Sequence, residues 1–198
     1  MVHFLDVTTG EAAADHQRRR GSFHSYSQLV ASPAPVGLGE AEADFLRRRD
    51  SFYLASVTDD GWPYVQHRGG PAGFIKVLDG THVAWADRTG NRQYITAGNL
   101  DGDDRVAIIA VDYPHRTRLK LLGHARFDPD PDPAMLEQLG IDGRLEGLVT
   151  VEIVAFDWNC PKFITPRFTI DEVQAAGEPL RNRIAELEAI VAASSAQA

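Results

Sequence analysis

The chain has a single cysteine, Cys160, among 198 residues, so it holds no internal disulfide, no Cys-built zinc site and no CxxC redox pair. Lysine is almost as scarce: of 20 basic residues only Lys76, Lys120 and Lys162 are lysines. No window of about 18 apolar residues occurs, and the N-terminal stretch carries scattered charges instead of a signal-peptide core. Nothing here calls for a membrane span or an oxidising compartment, and a cytoplasmic protein is the expectation.

An excess of positive charge is also missing. With 28 acidic residues against 20 basic ones the net charge is −8, which argues against a nucleic acid or an anionic membrane as partner, because a phosphate surface demands a basic face. An anionic ligand would have to be held locally. The sequence lacks a GxxxxGKS/T loop, an HExxH pair, a GxSxG elbow and an EF-hand loop. Gly37-Leu38-Gly39 is followed by Glu42 where a dinucleotide fingerprint would need its third glycine. The seven histidines show no metal-ligand spacing, so no metal is expected.

What is present is globular: 43% hydrophobic and 24% charged residues, at a length equal to about 1.3 average domains. Residues 8–30 suggest one or two peripheral helices, 31–39 (ASPAPVGLG) a linker, and 40–50 a short helix with Phe45 and Leu46 inward. From Ser51 the period becomes two. SFYLASVT and YVQH flank Asp59-Asp60-Gly61, and FIKVL and HVAWA flank Asp79-Gly80, a dipeptide suited to a tight two-residue turn. Residues 105–112, 119–128 and 148–158 are further strand-like runs, with a short helix started at Pro133 between the last two. About seven closely spaced strands without βαβ alternation predict a mainly β fold with peripheral helices, an antiparallel barrel or sandwich. A final helix over 171–193 carries Leu180, Ile184, Leu187 and Val191 on one stripe, to pack on the barrel or on a second subunit.

Candidate chemistry concentrates between Tyr64 and Leu100. Gln66, His67 and Arg68 end a strand beside Gly69-Gly70, where a ligand can approach the backbone closely. Lys76 sits in an apolar strand, either snorkelling to solvent at a sheet edge or meeting an anion. Asn91, Arg92 and Gln93 precede a helix-compatible run and read either as a cap with a surface pair or as a phosphate grip. Arg68 has Asp59, Asp60 and Asp87 as structural alternatives to an anionic ligand. Together, Arg68, Lys76 and Arg92 could surround one doubly charged group.

The ordered blocks QHRGGPAGFIKVLD, GNRQYITAGNL, DYPHRTRLKLLGHAR and WNCPKFITPRF resemble the FMN-binding split barrel of the pyridoxamine 5′-phosphate oxidase-like family, notably its small bacterial members, over roughly residues 40–168. The resemblance implies an N-terminal extension at 1–39, an antiparallel split β-barrel at 40–168 and a C-terminal helix at 169–198. It also implies a homodimer with FMN between subunits. On this likeness Gln66, His67, Arg68 and Lys76 line the flavin site, Asn91, Arg92 and Gln93 grip its phosphate, and Asn99 follows the grip. Arg118 and Lys120 approach from the partner subunit, and Trp158, Asn159, Lys162 and Arg167 close over the ring. Trp85, Tyr94 or Trp158 would supply an apolar slot for the ring edge, and Gln66, His67 or Lys162 donors to its polar edge. Cys160, followed by proline, reads as a buried or half-buried thiol more than a nucleophile. The implied function is an FMN-dependent oxidoreductase acting on an unspecified small molecule. A non-enzymatic flavin carrier or sensor, or a split barrel using deazaflavin or haem, is the alternative. The phosphate turn and the closing segment both depart from those of the vitamin B6 oxidases, so pyridoxamine phosphate is not implied as the substrate.

Overall fold

A computed structural model describes residues 1–158 and 161–195. It contains seven strands: β1 Ser51–Val57, β2 Pro63–Gly69, β3 Lys76–Val77, β4 His82–Asp87, β5 Arg105–Asp112, β6 Thr117–Asp128 and β7 Gly147–Trp158. All pairings are antiparallel, in the order β2-β1-β5-β6-β7-β4-β3. The helices are α1 Phe4–Thr8, α2 Glu11–Arg20, α3 Phe23–Val30, α4 Glu40–Arg47, α5 Ile95–Gly102, α6 Pro133–Gln138 and α7 Ile170–Ser195. Two compact units result: residues Met1–Asp112 with Thr117–Pro161, and Tyr113–Arg116 with the segment from Lys162 onward.

In the first unit the sheet curls on itself without closing, which is the split barrel that the family resemblance implies. Phe52 of β1 meets Trp85 of β4 edge-on at 4.9 Å although three strands separate β1 from β4 in the sheet order. Strict alternation drives the curl: every second residue of β5, from Val106 to Asp112, is buried. Phe52, Leu54, Trp85, Leu119, Leu121, Val149 and Val151 fill the interior at 2% exposure or less, each contributing about 1.5–3 kcal/mol. A bulge between Leu122 and Gly123 increases the local twist. Gly123 is obligatory there, because a Cβ would collide with the Glu152 carbonyl.

Two helices, α2 and α3, fill residues 8–30 as expected, and the short α1 precedes them. The linker docks on the second hairpin through the Leu38 N–H, which donates to the Gly80 carbonyl at 2.6 Å. Helix α4 follows, its start fixed by the Glu42 carboxylate accepting from the Gly39 N–H at 2.8 Å, and it buries Phe45 and Leu46 as expected. The Asp79-Gly80 connection differs from expectation: Leu78 faces His82, so the loop has three residues. The cause is the Asp79 carboxylate, which accepts from the N–H groups of Thr81 and His82 and stabilises the wider turn. In the second unit, the predicted stripe Leu180, Ile184, Leu187 and Val191 of α7 is 45–69% exposed.

Candidate functional site

Alternation along β2 places Tyr64, Gln66 and Arg68 on one half-buried face and Val65 and His67 on the other. Tyr64 donates to Gln66 Oε1 at 2.5 Å, and Arg68 Nη1 donates to Asp87 Oδ1 at 2.5 Å, joining edge strand β2 to the end of β4 across the open side of the barrel. Asp87 is thus the one of the three expected alternatives that Arg68 takes up. His67 turns outward and packs edge-on against Tyr53 at 5.5 Å, although it borders the site at its rim.

Two hollows meet at Arg68, Asp87 and Arg88. The larger, about 360 Å³, is walled by Arg68, Gly70, Phe74, Lys76, Trp85 and Asp142. Gly70 must lack a side chain, since a Cβ would lie 2.7 Å from the Phe74 ring. The smaller, about 160 Å³, is walled by Gln66, Asn91, Arg92, Gln93, Tyr94 and Glu146. Lys76 has no hydrogen bond or ion pair among the described residues. Two buried donors beside the larger hollow, Arg68 Nε and Trp85 Nε1, also have no acceptor among the described residues. Leaving such a donor unpaired costs about 1–3 kcal/mol, so both suit a ligand rich in acceptors.

The turn before α5 is held in unusual geometry. Arg92 and Tyr94 both have left-handed backbones, φ 60° and 52°, which costs about 1–3 kcal/mol each in residues other than glycine. Hydrogen bonds over-determine it. Asn91 Oδ1 accepts from the Gln93 N–H and Asn91 Nδ2 donates to Gln93 Oε1, both at 3.1 Å. Arg92 Nε donates to the Tyr94 hydroxyl at 3.1 Å, which donates to Glu146 at 2.7 Å, and Thr89 donates to the same carboxylate at 2.8 Å. The hydrogen bonds from Tyr94 and Thr89 hold Glu146 below the usual carboxylate range, while the bond to Tyr94 raises Arg92 further above its ordinary value.

Of the residues singled out in the sequence, Gln66, Arg68, Lys76, Asn91, Arg92 and Gln93 therefore converge, with Arg68 as the hinge between the hollows. They do not surround a single point: Lys76 lines only the larger hollow and Arg92 only the smaller. Others are engaged elsewhere in the first unit. Asn99 is buried and donates to Ser56 Oγ at 2.8 Å. Lys120 pairs with Asp157 at 2.8 Å and lies over the Phe4 ring, and Trp158 donates to Glu42 at 2.6 Å. Arg118 has a buried Nε without an acceptor among the described residues. Lys162 and Arg167 belong to the second unit, where Arg167 covers the Tyr113 ring at 4.9 Å. Asn159 and Cys160 lie outside the described residues. Sequence reading missed Arg88 and Glu146; only the β4–β7 register, which sets Asp87 opposite Gly147, carries Glu146 to Tyr94. Among the described residues no cluster of His, Cys, Asp and Glu could hold a metal ion, and no helix is long and apolar enough to cross a membrane.

A family model described as pyridoxamine 5′-phosphate oxidase matches residues 38–146. Among solved structures, HupZ from Group A Streptococcus is 12% identical, covers 66% of this chain and 99% of its own, and superposes with a TM-score of 0.50. A putative pyridoxamine 5′-phosphate oxidase from Lactobacillus delbrueckii is 25% identical over 61% of this chain and 93% of its own, with a TM-score of 0.49. A Clostridium acetobutylicum protein related to general stress protein 26 of B. subtilis is 15% identical over 66% and 92%, at 0.46. No curated protein matches the chain. The family match spans more than half of the sequence and falls on the open barrel that carries both hollows, so the chain belongs to the pyridoxamine 5′-phosphate oxidase-like family.

Proposed function

We propose that the chain is an FMN-binding oxidoreductase that works as a homodimer on a small molecule. The observation that carries this reading is the charge of the two hollows. Arg68, Lys76, Arg88 and Arg92 stand against Asp87, Asp142 and Glu146, four cations to three carboxylates, so the hollows carry +1 in a chain whose net charge is −8. A phosphate-bearing, acceptor-rich ligand suits such a place.

In this reading Asn91, Arg92 and Gln93 grip the phosphate, with Glu146 positioning Arg92 through the Tyr94 hydroxyl. Arg68 and Lys76 face the ligand from β2 and β3, and Trp85 Nε1 and Arg68 Nε gain the acceptors they lack. Gln66 and His67 stand near the polar edge of the ring. Arg118, Lys120, Trp158, Asn159 and Lys162, assigned through the family likeness, would reach a flavin shared across the subunit boundary, and Asn99 would support the grip from beneath through Ser56. The bound flavin supplies hydride and electron transfer, so the protein needs no nucleophile of its own. The chain's residues bind and orient the ring and exclude water from its face.

The test is the absorbance spectrum of the purified protein, mass spectrometry of the released small molecule, and sedimentation. A flavin spectrum, the mass of FMN and a dimer are expected. Colourless protein that takes up no added FMN overturns the proposal, and a deazaflavin or haem mass replaces its cofactor. Stopped-flow reduction by NADH or NADPH followed by reoxidation in oxygen is expected of an oxidoreductase; inertness to both identifies a carrier.

A further inference from the structure

Helix α7 presents an apolar seam whose residue types and spacing are those of a two-stranded coiled coil. Leu180, Ile184, Leu187 and Val191 follow one another at four, three and four residues and are 45–69% exposed. In heptad terms Ile184 and Val191 occupy a positions and Leu180 and Leu187 d positions. Upstream, Ile170 and Val173 fall on a and d in the same register, with Gly177 at the intervening a. β-Branched residues at a with leucine at d favour two parallel strands.

Charge selects the same partner. In a parallel pair the g residue of one helix lies beside the e residue five positions further along the other, and here Arg183 at g is followed five residues later by Glu188 at e. Each seam thus gains two symmetry-related opposite-charge pairs. Arg181, the other cation near the seam, is committed to its own helix, where Nη2 donates to the Gln174 carbonyl at 2.6 Å. Among the described residues Arg183 makes only an exposed pair with Glu186, at 2.7 Å and 62% and 63% exposure, and such pairs contribute little.

We propose that α7 pairs in parallel and in register with α7 of a second copy of this chain, over Leu180 to Val191 at least. Two to three heptads are short for an independent coiled coil, so the pairing rests on the homodimer proposed above, which raises the effective concentration of the two helices. The helix would then tie the dimer together through its own seam.

Residues 180 and 187 each face their own copy in the parallel, in-register pair, whereas an antiparallel pair can bring at most one of the two to its own copy; Asn182, at an f position, faces away. In a full-length Cys160→Ser background, Leu180→Cys, Leu187→Cys and Asn182→Cys are oxidised mildly and resolved on non-reducing gels, beside sedimentation of the unoxidised proteins. A dimeric protein in which Leu180→Cys and Leu187→Cys both crosslink nearly completely and Asn182→Cys at least tenfold less is expected. A dimer in which either Leu180→Cys or Leu187→Cys stays uncrosslinked, or crosslinks no better than Asn182→Cys, overturns the parallel helix pairing and leaves the homodimer standing. A monomer overturns both. Leu187→Ala checks the seam without new chemistry: it should weaken dimerisation at least tenfold while its circular dichroism keeps the barrel signal, and unchanged dimerisation speaks against the seam.

Discussion

Replacing Arg68 by methionine keeps most of the side chain's apolar length and removes the guanidinium that bridges β2 to β4. The pair with Asp87 is 2.5 Å long, and the two side chains are only 19% and 17% exposed. Removing one partner of a fully buried pair costs about 3–5 kcal/mol, and an exposed pair is worth about 0–1 kcal/mol. At this burial we expect Arg68→Met to lose about 2–3 kcal/mol, Asp87→Asn to lose about 1–2 kcal/mol, and the double variant to show about 1–2 kcal/mol of coupling. Urea unfolding of flavin-free protein measures all three, provided the m value stays constant.

The ligand separates the two variants. Arg68→Met should weaken FMN binding by about 1.5–3 kcal/mol, roughly tenfold to somewhat over a hundredfold in Kd, through loss of charge-assisted hydrogen bonds. Asp87→Asn removes the competing carboxylate and leaves Arg68 free to turn to the ligand, so its Kd should hold or tighten. Both variants lose stability, and they move apart in binding. Strict additivity in urea together with an unchanged Kd for Arg68→Met, read by quenching of flavin fluorescence, would show that Arg68 neither couples to Asp87 nor meets the ligand.

Arg92→Ala should weaken FMN binding by about 1.5–3 kcal/mol with almost no change in unfolding, because the side chain is exposed; an unchanged Kd removes Arg92 from the phosphate grip. Asn99→Ala strands the buried Ser56 hydroxyl and should cost about 1–3 kcal/mol in urea unfolding, and a cost near zero would show that the Asn99–Ser56 bond does not hold α5 to β1. The Asp79 carboxyl, accepting chiefly from the Thr81 N–H, is held down at about 2, and Asp103 at about 2 by Arg105. Both lie below an unfolded value near 4, so their stabilisation is complete above about pH 4 and lost as pH falls towards 2. Asp79→Asn should flatten that fall, by no more than about 1 kcal/mol given the exposure of the carboxylate, and an acid unfolding curve parallel to wild type counts against it.

The strands were legible because burial on one face enforces a period of two, and β5 matches the expected 105–112 end to end. The start of α6 was legible from Asp132-Pro133, where the aspartate side chain accepts from the Ala134 N–H. Local chemistry that competes with backbone pairing was harder to see. Asp79-Gly80 reads as a two-residue turn until the Asp79 carboxylate is known to take the Thr81 and His82 N–H groups. In the site, the cations announced themselves by being out of place, Lys76 in an apolar strand and Arg68 before paired glycines. Their carboxylate partners did not, because nothing near Glu146 in sequence signals a bond to a tyrosine 52 residues earlier.

The split of His67 from its neighbours was available, since alternation alone puts Gln66 and Arg68 on one face of β2 and His67 on the other. The left-handed backbones of Arg92 and Tyr94 were not, because no turn rule selects those residue types for positive φ. Their geometry persists because Asn91 accepts from the Gln93 N–H and Glu146, itself held by Thr89, accepts from the Tyr94 hydroxyl, and in it Arg92 lines the smaller hollow. The strain sits on the residue proposed to grip the phosphate, and the long-range carboxylate that offsets it reaches that residue only through the closure of β4 on β7. A grip of this kind is therefore a property of the folded barrel more than of the local turn sequence, so a sequence can show which cations are candidates without showing how they are aimed.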